Sequence, residues 1–323
     1  MSLSRLGAIT VIGLVTICAY QALAESQGRT APRDAFFETL MGGGAEKGLV
    51  YVEIPLKNKF FAGATTPMER STVWEKFFSR VLREDALLTD PKSTPYWGSY
   101  VYQKVDWSYV ATAVDVRVGD VLRVRTPTTQ GPVKVIRYVI HYNGPAGGNL
   151  LLAVAQPLAG FNVPDTDILF AAPRLPSCES RCASRKVIPN QLTLDRIRTV
   201  VTSGAKIPQG QQIKRLAALE GRFTRAARQY VVYVDFGTDS DTNLTGYWRT
   251  MVLDTDLSII GVVGENDYAH IEPRSVGDVN GDGLDEVWVD LHGYEGRHAG
   301  AIYWRGGSGH DAFRVITNAY NGA

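Results

Sequence analysis

Cysteine is scarce in this chain: there are three in 323 residues, which excludes a disulfide-dense scaffold. Charge of one sign is also missing. Lys+Arg number 34 against 33 Asp+Glu, a formal charge of +1, so no electrostatic footprint points to nucleic acid or to an anionic membrane. Gly at 32 residues falls far short of the one in three that a collagen-like chain needs, and 45% hydrophobic residues exclude a largely disordered one. Beyond the N-terminus no apolar run approaches the roughly 20 residues that a membrane helix requires. What is left is an ordinary globular composition, long enough for one large or two modest cores.

The N-terminus reads as an export signal. Arg5 is its only charge, Leu6 to Ala19 is apolar, and Ala22-Leu23-Ala24 offers small residues before a cut. Residues 1–24 are therefore expected to be a cleaved signal peptide, which places the protein outside the cytoplasm, secreted or periplasmic. Cleavage removes Cys18 and leaves Cys178 and Cys182, spaced C-x3-C. An oxidising compartment favours a disulfide between them, closing a very small loop; free thiols or half of a zinc site are the alternatives, and no second Cys/His pair stands at zinc spacing.

Two regions follow from the hydropathy pattern. Residues 25–185 are expected to be strand-rich with one amphipathic helix over 66–88. Thr66, Pro67 and Glu69 make a helix start with a capping box, and Val73/Trp74, Phe77/Phe78 and Val81/Leu82 recur every four residues. Val114–Val118 alternates, Gly119-Asp120 turns, Val121–Arg125 continues, and Val133–Tyr142 is β-branched and aromatic. The glycines at 144, 147 and 148 lack a following Gly-Lys-Ser/Thr and read as a hairpin connection, not a phosphate loop. Prolines 164, 173, 176 and 189 mark residues 162–190 as a boundary or long external loop, and a short helix is expected from about Thr193 to Ser203 with Gly204 as its stop.

Residues 186–323 carry a weak internal repeat. Val232-Tyr-Val-Asp-Phe236 is similar to Val287-Trp-Val-Asp-Leu291, 55 residues on, and Tyr247-Trp-Arg249 matches Tyr303-Trp-Arg305, 56 residues on. A period of this length suits a four-stranded propeller blade. Two copies are too few to close a ring, so either the N-terminal region supplies degenerate blades or the architecture is a different one.

One segment carries specific chemistry. Asp278-Val-Asn280-Gly-Asp282-Gly283-Leu284-Asp285-Glu286 places side-chain oxygens at positions 1, 3, 5 and 9. A hard cation such as calcium takes roughly six to eight oxygen ligands at about 2.4 Å, and alternating acids reach one point when the backbone curls. Gly283 permits the turn and the Leu284 carbonyl completes the ring; Asp285 faces away, outside the ligand set or solvated. Residues 265–290 hold eight acids and one Arg, a crowding that a cation would relieve. Position 12 is Val289 and a strand follows, so this is not an EF-hand.

With Gly277 before it, and Gly300-Ala-Ile-Tyr-Trp304 and Gly306-Gly307 after it, this stretch resembles an FG-GAP (integrin-α-like, VCBS-type) repeat over about 45 residues. The resemblance implies a calcium loop between strands of a propeller blade, with Asp278, Asn280, Asp282, Leu284 through its carbonyl, and Glu286 as ligands. Glu286 stands where the family usually has Asp. Upstream, the segment from Gly221 to Tyr230 occupies the equivalent position without a carboxylate.

No catalytic residue is assigned. His292-Gly-Tyr-Glu295-Gly-Arg-His298 reads as polar loop residues, His310 follows a glycine-rich turn, His141 lies in a strand, and His270 is near enough to the acidic segment to neutralise it. Asn243-Leu-Thr245 is a glycosylation sequon, and Tyr96/Trp97 and Tyr247/Trp248 are aromatic pairs that either stack on sugars or belong to cores. The expected fold is mainly β, with propeller-like blades in the C-terminal half. The expected function is that of a secreted, calcium-binding, FG-GAP-like binding or adhesion module for protein or glycan, with the calcium structural; an extracytoplasmic hydrolase, glycan- or ester-directed, on a calcium-stabilised β scaffold is the alternative.

Overall fold

The computed structural model describes residues 36–37, 39–83, 101–142, 149–175, 183–204, 212–224, 228–237, 247–265, 269–293, 296–307 and 312–317. Fourteen strands form three antiparallel sheets, with three α-helices among the described residues.

The first sheet closes on itself. Strands β1 (Met41–Glu46), β2 (Leu49–Glu53), β3 (Val121–Arg125), β4 (Gln130–Tyr142), β5 (Asn149–Pro157) and β6 (Thr166–Ala172) make a barrel in the order β1-β2-β5-β4-β3-β6. Inward positions alternate with outward ones, as the pleat demands. Val50 and Val52, Val133 and Val135, and Ala153 and Ala155 fill the interior, while Tyr51, Val139, Leu152 and Val154 form a separate outer cluster. β1 is Met-Gly-Gly-Gly-Ala-Glu, a poor strand by propensity. A Cβ on Gly43 would collide with the carbonyl oxygen of Tyr51, so the glycine is what lets β1 approach β2.

Helix α1 (Pro67–Val81) and helix α2 (Trp107–Ala113) lie between β2 and β3 in the chain and cap the barrel core with Phe77, Phe78, Val81, Val110 and Ala113. The capping box at α1 forms as its sequence indicates: Glu69 N–H donates to Thr66 Oγ1 (3.3 Å) and Thr66 N–H to Glu69 Oε2 (2.8 Å). The helix ends at Val81 and does not continue to 88. Leu82 turns extended and bridges Val105, which takes the chain off the helical path. Residues 114–118, expected as strand, contribute only an isolated bridge from Val114 to Leu56. β4 and β5 pair from Tyr142↔Asn149 onward, so the glycine-rich connection joins a hairpin; residues 143–148 themselves lie outside the described set.

Within 162–190, expected as a boundary or long external loop, Thr166–Ala172 forms strand β6. Ile168-Leu-Phe-Ala171 is fully buried and pairs with both β1 and β3, closing the barrel. Helix α3 (Gln191–Gly204) follows, with Asn190 Oδ1 accepting the Thr193 N–H (2.9 Å) as its cap.

The repeat corresponds to two four-stranded meanders. One comprises β7 (Arg215–Gly221), β8 (Gln229–Gly237), β9 (Tyr247–Leu253) and β10 (Ile259–Glu265); the other β11 (Ala269–Gly277), β12 (Glu286–Gly293), β13 (Gly296–Trp304) and β14 (Phe313–Thr317). Their facing sides share one core containing Val231, Tyr233, Trp248, Val276, Val287, Val289 and Ile302. The outer side of the first meander packs on Ile197 and Val201 of α3. The outer side of the second packs on β6, where Trp288 stacks on Phe170 at 5.3 Å between ring centroids. The molecule is thus layered: α3, first meander, second meander, barrel. No propeller is identified, and residues 41–172 close a barrel in place of supplying further blades.

Candidate calcium-binding turn

Gly277 and Glu286 face each other as the last pair of β11 and β12, and residues 278–285 connect them. Gly281 (φ 78°) and Gly283 (φ 86°) adopt the left-handed conformation that tightens this connection. The turn curls about Asp278, whose side chain is 5% exposed. Its Oδ1 accepts the N–H groups of Gly281 (2.6 Å) and Asp282 (3.1 Å), and its Oδ2 accepts that of Gly283 (2.8 Å). Asn280 Oδ1 also accepts the Asp282 N–H (3.0 Å), so the side-chain oxygens of residues 278 and 280 share one donor. Asp282 Oδ2 accepts from Asn280 Nδ2 (2.9 Å), and Asp282 Oδ1 from the Leu284 N–H (2.8 Å). Glu286, with no exposed surface, reaches back so that Oε2 accepts the Val279 N–H (2.6 Å).

The five residues expected as ligands therefore lie on one turn and its closing pair. Burial raises the Asp278 carboxyl above its ordinary value; the N–H groups of Gly283 and Gly281 oppose that rise, and the charge of Asp282 adds to it. The donor set fits calcium in kind, being all oxygen, and in order along the chain. Each carboxylate oxygen has two lone pairs, so an oxygen already holding one N–H can still face a cation. The carboxylates are held by the turn's own amides and are not gathered into a shell: among the described residues no three His, Cys, Asp or Glu side chains form a group that could hold a metal.

Of the two readings of Asp285, solvation is overturned: it is 5% exposed, and Oδ2 accepts from Arg185 Nη2 (2.6 Å) and from the Arg222 N–H (2.7 Å). Its own N–H donates to the Arg222 carbonyl (2.6 Å). Arg222 begins the β7–β8 connection, the counterpart of the 278–285 turn, so Asp285 pins the two equivalent turns together. Arg185 comes from a strap that also pairs with Val276 in β11, while Val187 accepts the Glu220 N–H in β7. Sequence spacing holds no signal for this contact, because both partners are distant in the chain.

The counterpart turn is closed by Gly221 and Gln229, the pair equivalent to Gly277 and Glu286. Gln229 Oε1 accepts the N–H groups of Phe223 (3.1 Å) and Thr224 (2.8 Å), as Glu286 does for Val279. A neutral amide replaces the carboxylate, and the described part of this turn has no acid.

The two histidines whose side chains are described, His141 and His270, stand in different sheets. His270 Nδ1 lies 2.7 Å from the Tyr233 hydroxyl and its ring stacks on Trp248 at 5.2 Å, so it serves the inter-sheet core and not the acidic turn. His141 is buried in β4, where desolvation lowers its pKa. The 292–298 segment was expected as irregular loop, but β12 runs to Gly293 and β13 begins at Gly296, with His292 paired to Arg297 and Leu291 to His298. The side chains of His292 and His298, together with Glu295 and His310, lie outside the described residues. Cys178, Cys182, Tyr96, Trp97, Asn243 and residues 1–24 do so too. Trp248 is 1% exposed and belongs to the core, so it offers no platform for a sugar.

No family model matches the chain, and no curated protein and no solved structure matches it. No helix among the described residues is long and apolar enough to cross a membrane.

Proposed function

We propose that the Asp278–Glu286 turn binds one calcium ion, that the two meanders are FG-GAP-like blades, and that the protein acts outside the cytoplasm as a binding module for protein or glycan. The observation that carries this reading is the curl of 278–284 around a buried Asp278 carboxylate, in which side-chain oxygens of Asp278 and Asn280 share the Asp282 N–H and the Asp282 carboxylate accepts from Asn280 Nδ2. Supporting it are the closure of that turn by Glu286 and the acid-free counterpart closed by Gln229, a division expected if one repeat keeps the ion and the other does without it. The ion's role is structural: it neutralises clustered carboxylates next to the contact that Asp285 makes with the neighbouring sheet.

Metal-stripped protein melted with EDTA and with millimolar calcium tests this. Binding to the native state alone raises the melting temperature, and a concentration of about 100 times Kd contributes about 2.7 kcal/mol. Superimposable curves contradict the calcium site. A calorimetric screen of glycans and peptides then tests the binding role: saturable heat without turnover is expected, and steady turnover contradicts it.

A further inference from the structure

Arg125 is the last residue of β3, a barrel strand, yet its guanidinium ends beneath the turn of the second meander. It is 1% exposed. Nη1 donates to the Asp278 carbonyl (3.4 Å) and Nη2 to Gln130 Oε1 (2.8 Å). Burial disfavours its charge, and the acids that favour it are Asp278 and Glu286, two of the five proposed ligands. A guanidinium keeps its proton even when buried, so this site holds a fixed positive charge. Removing such a charge from water is costly unless opposite charge compensates it, and the same holds for Glu286, which has no exposed surface.

We propose that Arg125 is the resident counter-cation of the Asp278–Glu286 turn. It holds the turn in shape in the absence of calcium, joins the barrel to the second meander, and lowers the turn's affinity for the ion by standing beside its ligands. Only the effect on affinity rests on the calcium reading; the charge balance with Glu286 does not.

The test is a double-mutant cycle on the full chain, R125Q, E286Q and the double variant, melted in EDTA, together with calcium calorimetry on wild type and R125Q. Each single variant removes one side of this charge balance, with Asp278 remaining in both, and is expected to melt at least about 5 °C lower, while the double melts higher than either single. Additive losses in the double variant overturn the proposal. If R125Q does not fold alone, E286Q is expected to restore folding, and failure to do so overturns it equally. Calcium is expected to bind R125Q about tenfold or more tightly than wild type, because a like charge beside the ion is gone. Equal affinities overturn the effect on affinity. Absence of calcium heat in both proteins, with coupling intact, removes the calcium reading and leaves the counter-cation in place.

Discussion

At the scale of single residues, two positions show how local geometry was legible before any fold was in view. Glu69 accepts N–H groups from Thr65 and Thr66, which lower its carboxyl to about 2. The depressed value means that this capping contact stabilises fully above the ordinary carboxylate value of 4.5 and is lost as pH falls through about 2. An NMR titration is expected to find Glu69 near that value and to find it raised in Thr66→Ala; an ordinary value in wild type contradicts the capping geometry. Gly283 is the second case. Its φ of 86° is left-handed, and a Cβ there meets nothing within 4 Å, so Gly283→Ala isolates backbone strain from packing. The expected loss is about 1–2 kcal/mol by urea denaturation, with weaker calcium binding. No loss means that the turn relaxes out of the described conformation. Asp285 marks the limit of sequence reading at this scale. Its position beside the ligand set was visible, but its bonds to Arg185 and Arg222 span 100 and 63 residues, and nothing local encodes them.

At the scale of elements, legibility followed local signals. α1 announced itself by its cap and four-residue period, and β4 by its β-branched run, because each signal lies inside the element. β1 and β6 were missed for physical reasons. Three successive glycines in β1 carry no strand propensity, and the middle one, Gly43, is accounted for by the closeness of Tyr51. β6 is a short buried run among prolines, and its pairing with β1 and β3 is what makes it a strand. The 55-residue repeat pointed to four-stranded units, which the two meanders are; the barrel that precedes them has no counterpart in that repeat. Asp285 adds a polar latch to the apolar join between the meanders. Asp285→Ala is expected to cost about 2 kcal/mol, since the Arg222 N–H loses its acceptor in a part-buried site while half-exposed Arg185 is resolvated. Chemical denaturation measures this, and a change below about 0.5 kcal/mol contradicts the latch.

At the scale of the whole molecule, barrel and meanders are tied by a small apolar cluster and one buried charge. Trp288 stacks on Phe170 of β6 and is 1% exposed; Arg125 crosses the same boundary. Trp288→Ala is expected to destabilise the protein by about 3–5 kcal/mol and to separate the unfolding of barrel and meanders into two transitions, followed by far-UV and near-UV circular dichroism. A single transition with an unchanged midpoint contradicts that role. The boundary also lies directly behind the Asp278 turn, so occupation of the turn bears on how the two halves hold together. The most direct measurement is a crystal structure of the protein grown at millimolar calcium. An ion is expected at about 2.4 Å from side-chain oxygens of Asp278, Asn280 and Asp282, with the Leu284 carbonyl and Glu286 completing its shell. A well-ordered turn with Asp278 still bonded only to the amides of residues 281–283, and no ion beside it, contradicts the account.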